Sequence, residues 1–181
     1  MTSAFSLKRP VFFIGFMGAG KTSVARRIAR VCSLVSIDMD TYLERREGKT
    51  IADIFAEAGE EGFRALESEV LRDLATRAPQ MVSCGGGVVL RPENRALLKA
   101  QGCVVYLRVS AETAARRISD ISTRPLFRSL EAARATNEAR VPLYEGAADI
   151  IVDTEKKAVN GIAGEVIAAL QKEGVLCQSP R

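Results

Sequence analysis

The sequence predicts an α/β domain in three layers, α/β/α, around a parallel sheet of five strands. Five short apolar stretches recur along the 181 residues, separated by stretches of helical period. The first of them runs straight into the glycine loop Gly15-Phe-Met-Gly-Ala-Gly-Lys-Thr22, which opens a helix. The polar motifs fall at the carboxyl ends of the strand candidates, where a sheet of this class binds its ligands. At this length one compact domain over 1–181 is expected.

Val11 to Ile14 is the first strand candidate, and Ser23 to Cys32 carries the helix after its loop. Leu34 to Ile37 is the second, ending in Asp38-Met-Asp40; Thr41 to Glu47 then forms a short helix that Gly48 stops. Thr50-Ile-Ala-Asp53 reads as a capping box opening a helix that must break or bend at Gly59. From Glu60 to Ala75 the helix resumes, with Phe63, Leu66, Val70, Leu71 and Leu74 as its buried stripe. Pro79 turns the chain into Met81 to Cys84, the third strand, which ends on Gly85-Gly-Gly87. Pro92 to Ala100 is helical, Val104 to Leu107 is the fourth strand, and Ser110 begins a helix to Ile118. Asp120 to Phe127 has weak periodicity and reads as an excursion, after which Ser129 to Arg140 is helical. Ile150 to Val152 is the fifth strand and Ala158 to Gln171 the closing helix, leaving Glu173 to Arg181 as a frayed tail.

Composition narrows the chemistry. With 47% hydrophobic and 27% charged residues the chain reads as a soluble globular domain, and the absence of histidine removes Ser-His-Asp hydrolysis, histidine-ligated zinc and imidazole acid–base work together. The net charge of +4 suits an anionic small substrate as well as it suits nucleic acid. Cysteines 32, 84, 103 and 177 have no zinc-ligand spacing and read as reduced thiols. No apolar run reaches membrane-spanning length, so a cytoplasmic protein without a membrane partner is expected.

Gly15-x4-Gly20-Lys21-Thr22 matches the phosphate-binding loop in its required setting between strand and helix. Its backbone N–H groups can face phosphates, Lys21 can reach the β and γ oxygens, and the Thr22 hydroxyl can ligate Mg²⁺. Asp38 and Asp40 leave the second strand one residue apart, so one can stand near Mg²⁺ and the other on an acceptor hydroxyl; Asp38 on the metal and Asp40 on the hydroxyl is the first assignment, and the reverse is open. The glycine triple 85–87 leaves room for a ligand against bare backbone, and Ser83 can help order the metal's water shell. Arg64 and Arg140 can grip a planar carboxylate as guanidinium forks. Arg116, Arg117, Arg124 and Arg128 lie in and around the excursion without the interleaved aromatics of a nucleic-acid surface, so a lid closing over phosphates is the better account.

Together these residues resemble the shikimate kinase family over about Pro10 to Leu170. The resemblance implies a P-loop fold of nucleoside-monophosphate-kinase type with sheet order 2-3-1-4-5, substrate-binding helices over about 41–76 and a lid over about 119–129. It implies transfer of a phosphoryl group from ATP, with Mg²⁺, to the 3-hydroxyl of shikimate in aromatic amino acid biosynthesis. By resemblance, Gly18, Ala19, Gly20, Lys21, Thr22 and Ser23 hold the phosphates, and Thr22 and Asp38 hold the metal. Arg117 and Lys156 lie near adenine, and Arg124 bridges ATP and acceptor. Asp40, Phe55, Phe63, Arg64, Glu67, Gly85, Gly86, Gly87, Leu126 and Arg140 line the shikimate site. Asp40, Lys21 and Arg124 then carry catalysis by in-line transfer, Asp40 acting as base or only orienting the hydroxyl. A monomer with no obligate protein partner and no nucleic acid is expected. A gluconate kinase or another small-metabolite kinase is the near alternative, and an ATP-binding regulatory protein without transfer the distant one.

Overall fold

Four consecutive apolar residues, Val11–Ile14, offer no polar face and so belong in a sheet covered on both sides. The computed structural model describes residues 5–118 and 129–178 and buries all four completely. In chain order the first half comprises β1 (Phe5–Leu7), β2 (Val11–Ile14), α1 (Lys21–Cys32), β3 (Ser36–Asp38), α2 (Met39–Glu47), α3 (Ile51–Ala75) and β4 (Met81–Ser83). A single 3₁₀ turn, Val88–Leu90, precedes α4 (Pro92–Gln101), β5 (Cys103–Arg108), α5 (Ala111–Arg117), α6 (Leu130–Ala147), β6 (Ile150–Asp153), α7 (Val159–Lys172) and β7 (Leu176–Gln178).

The main sheet is parallel, in the order β3-β4-β2-β5-β6, which is the expected 2-3-1-4-5 counted over its own five strands. Its central strand sets Val11 opposite Met81 on one side and Cys103 on the other. Alternate residues point to opposite faces. Val11, Phe13, Val105 and Leu107 pack with Ile28 of α1 and Val166 and Leu170 of α7. Phe12, Ile14, Val104 and Tyr106 pack with Leu71 and Leu74 of α3, Leu98 of α4 and Tyr144 of α6.

Several boundaries differ from the sequence reading, each for a local reason. The second strand starts at Ser36 because Leu34 N–H still closes α1, donating to the Ala29 carbonyl past a left-handed Ser33. Next, α2 starts at Met39 because the Asp38 carboxylate caps it, accepting from Thr41 N–H at 3.0 Å. The bend in α3 is at Gly59, whose φ of 67° and ψ of −174° are ones a side chain resists. α6 runs through Pro142 to Ala147 rather than ending at Arg140. The frayed tail is corrected most: β7 pairs antiparallel with β1, Phe5 opposite Gln178, because Val175 and Leu176 are apolar and bury themselves against the core. Among the described residues, no helix is long and apolar enough to cross a membrane.

Candidate active site

The glycine loop leaves β2 at Gly15, where a Cβ would stand 2.5 Å from the Leu107 carbonyl oxygen of β5; only a bare Cα fits there. Gly20 caps α1, so the N–H groups of the first helical turn open into the cleft and favour an anion. The Lys21 ammonium donates to the carbonyls of Gly15 (2.8 Å) and Phe16 (3.0 Å), which folds it inside the loop. Thr22 Oγ1 donates to Asp38 Oδ2 at 2.7 Å and stands 3.0 Å from Ser83 Oγ. The ends of β3 and β4 thus bring a carboxylate and a hydroxyl up to the Thr22 hydroxyl in the first turn of α1. Hard oxygen donors with few charges suit Mg²⁺, which keeps several waters and phosphate ligands of its own.

A cleft of about 790 Å³ runs over the loop residues 18–23 and past Asp38, Ser83, Arg117 and Lys157. Arg117, at the end of α5, donates from Nη1 to Thr154 Oγ1 at 3.0 Å and from Nη2 to the Thr154 carbonyl at 2.5 Å, so its guanidinium is fixed beside the loop. Glu155 accepts from Ser110 N–H (2.8 Å) and Thr113 Oγ1 (2.6 Å), ties α5 to the turn after β6, and is held below the usual carboxylate range by those bonds.

A smaller pocket of about 120 Å³ lies between α2, α3, α6 and the glycine triple, lined by Phe55, Phe63, Arg64, Glu67 and Arg140 among others. Phe55 and Phe63 stack at 4.6 Å across the bend of α3. Arg64 is buried, donates from Nη1 to Glu67 Oε2 at 2.9 Å, and lies so close over Gly87 that any side chain there would displace it. From α6, Arg140 Nη1 reaches the Gly86 carbonyl at 3.3 Å and the Tyr144 hydroxyl donates to the same oxygen at 2.6 Å. Burial pushes the Tyr144 phenol up to about 12, so it remains a donor near neutrality. Met17, Asp40, Gly85 and Gly86 line both cavities. The cleft over the loop and the arginine-lined pocket are therefore continuous at Asp40 and Gly85–Gly86.

The model of the family described as shikimate kinase matches residues 17–171. The chain belongs to the shikimate kinase family. It is 41% identical over 171 residues to the shikimate kinase of Burkholderia lata, covering 93% of each chain. Among solved structures, shikimate kinase from Acinetobacter baumannii in complex with shikimate superposes with a TM-score of 0.87 at 33% identity, covering 91% of this chain and 94% of that one. A gluconokinase from Sinorhizobium meliloti reaches a TM-score of 0.58 at 19% identity and shares the fold.

Of the residues that the family resemblance marks, those of the loop, Asp38, Asp40, Phe55, Phe63, Arg64, Glu67, the glycine triple, Arg117 and Arg140 all line one or both cavities. Lys156 does not: it sits at a left-handed turn position (φ 55°), and Lys157, which also pairs with Glu165, lines the cleft instead. Arg124 and Leu126, with most of the expected lid, lie outside the described residues. The sequence reading gives Met17 and Ile51 no role of their own, and both line the smaller pocket. Met17 and Ile51 carry no chemical signal, being apolar residues in a loop and at a helix start. The family resemblance puts the 152–156 turn on the far side of adenine from Arg117, and within that turn Thr154 is the residue that accepts from the Arg117 guanidinium.

Proposed function

We propose that this site binds ATP in the larger cleft and shikimate in the smaller pocket, and passes the γ-phosphoryl group in line to the 3-hydroxyl at the seam between them. The chain is a kinase of the shikimate kinase family and acts in aromatic amino acid biosynthesis. The observation that carries the assignment of residues is the seam itself: a phosphate loop and a buried double-arginine pocket share Asp40, Gly85 and Gly86.

The roles follow from the chemistry of each group. The α1 N-terminus and the Lys21 ammonium bind the phosphates and favour the charge that builds on them during transfer. Thr22 and Asp38 would hold Mg²⁺, with Ser83 beside them. The charge neutralisation that Mg²⁺ held there would supply eases the build-up of negative charge on the transferred group. Arg64 and Arg140 grip the acceptor carboxylate as planar forks, and the Phe55–Phe63 stack walls the ring. Asp40 orients the acceptor hydroxyl and receives its proton as the O–P bond forms. Arg117 flanks adenine. For helices 41–76 as substrate-binding elements, and for a lid over 119–129 with Arg124 on the transferred group and Leu126 over the acceptor, the family resemblance is the support. A cytoplasmic monomer acting on two small molecules is part of this proposal, carried over from the sequence reading.

The test is ADP release with MgATP in a coupled assay, comparing no acceptor, shikimate, gluconate and a nucleoside monophosphate, with Lys21→Ala as control. A large rate with shikimate alone, abolished in Lys21→Ala, is expected. Equal rates with and without every acceptor would overturn the proposal.

A further inference from the structure

Arg64 and Glu67 stand three residues apart on α3, both almost wholly buried and bonded to each other at 2.9 Å. Each keeps one polar atom without a partner, Arg64 Nε and Glu67 Oε1. Glu67 Oε1 lies against the Cα of Gly85, and Asp40 Oδ1 faces the same point. The groups facing Glu67 come from every side: Arg64 on its own helix with Glu60 beyond it, Asp40 from α2, Arg140 from α6, and the Cys84 thiol at the end of β4. Burial opposes the Glu67 charge most, Asp40 adds to that, and chiefly Arg64 works against them; the outcome is a carboxyl raised above the ordinary range.

An anionic acceptor upsets this balance. A carboxylate seated on Arg64 shares the one cation that compensates Glu67 most, and it brings a new negative charge against two buried ionisable side chains. Charges interact several-fold more strongly there than in bulk solvent, and two carboxylates on one site cannot both stay ionised. The substrate carboxylate keeps two guanidinium forks, whereas Glu67 has a bare Oε1 on which a proton can sit.

We propose that Glu67 takes up one proton from solvent when the carboxylate substrate docks on Arg64, so that acceptor binding is proton-coupled. This rests on the reading above, in which the acceptor carboxylate meets Arg64. The balance is simple: one anion and one proton enter together, Glu67 becomes a neutral carboxylic acid, its Oε1 changes from idle acceptor to donor, and no substrate bond is broken. The pocket's net charge is the same before and after docking.

Isothermal titration of shikimate into the whole chain, from about pH 5.5 to 9.5 and in buffers of different ionisation heat, tests this above the acid's own titration near pH 4. The observed heat should scale with buffer ionisation heat in the sense of proton uptake, rising toward one proton per shikimate within part of that range. In the same window Kd should weaken with rising pH, by up to about tenfold per unit. Glu67→Gln, which still offers Arg64 an oxygen, should flatten both. In the wild type, the infrared difference between bound and free protein should gain the carbonyl stretch of a protonated carboxyl, a readout that needs no variant to fold. Binding with no buffer dependence at any pH would overturn the proposal and leave the assigned function standing, as would uptake that survives in folded Glu67→Gln. Absence of both shikimate binding and shikimate-dependent ADP release would remove the substrate reading and this proposal with it.

Discussion

Gly87→Ala should damage acceptor binding while leaving the fold and the nucleotide site intact. Gly87 has φ −98°, ordinary for any residue, so the new methyl group brings no backbone strain. It would, however, occupy the space now taken by Nη1, Cζ and Nη2 of Arg64. Those atoms end a flexible side chain, so the guanidinium moves and the backbone does not. The displaced fork loses its aim at the acceptor carboxylate, and a hydrogen bond to a charged group is worth about 1.5–3 kcal/mol. That translates to a rise of roughly ten- to over a hundredfold in the KM for shikimate. The KM for ATP should stay put, because Gly87 does not line the nucleotide cleft. Coupled ADP-release kinetics with each substrate varied in turn, beside a thermal melt, separates the effects. Gly102→Ala is the contrast: its methyl group would strike the Phe12 ring and the Pro10 carbonyl, so stability falls by about 1–3 kcal/mol from overpacking. A Gly87→Ala enzyme that melts normally and binds shikimate within threefold of wild type would refute the idea that Arg64 is aimed by its contact with Gly87.

Asp40→Asn keeps shape and removes the charge, so kcat should fall by about 10²–10⁴ with the KM for ATP little changed; steady-state kinetics that leave kcat intact would remove Asp40 from the proton step. Tyr144→Phe deletes the 2.6 Å bond to the Gly86 carbonyl but keeps the stack on Tyr106, and should raise the KM for shikimate roughly two- to tenfold in steady-state kinetics; because Gly86 lines both cavities, the KM for ATP should rise with it. Acid should weaken the fold: hydrogen bonds hold Glu155 and Asp73 below their ordinary values of 4.5 and 3.8, so their contribution is present above those values and lost as pH falls through the lowered ones. Urea midpoints between pH 6 and 3 should show that decline, and Glu155→Gln should make it shallower.

Sequence carried the fold and most of the site because both are written in short-range patterns. The strand Val11–Ile14, the loop to Thr22 and the Thr50–Asp53 capping box are local, and the structure keeps them. Chain ends were misread for the opposite reason: the β1–β7 ribbon joins residues more than 160 positions apart, and no local period announces such a pairing. The same holds inside the site. Asp38 was legible as a functional acid, and the structure gives it a second task, using its two oxygens separately, Oδ1 for Thr41 N–H and Oδ2 for Thr22. Glu67 was legible as a site residue by resemblance, but not as one with a buried, unpartnered oxygen, because that depends on Asp40 and Gly85 converging on it from other elements.

A row of three glycines poses a physical question that the site answers. Glycine loses more conformational freedom on folding than any other residue, so Gly85–Gly87 ought to be a poor place to position a substrate. The freedom is removed by side chains reaching back to this backbone: Tyr144 and Arg140 both donate to the Gly86 carbonyl. A hydrogen bond contributes about 1 kcal/mol net, and more where a guanidinium donates. Arg117 anchors the Thr154 carbonyl in the same way on the nucleotide side. Bare backbone gives Arg64 and Glu67 room to approach, and large side chains from α6 supply the rigidity that the glycines lack. Restoring bulk at Gly87 and removing the Tyr144 hydroxyl should therefore both weaken acceptor binding, but only the first should spare the nucleotide, because Gly86, which Tyr144 holds, lines both cavities and Gly87 only the smaller.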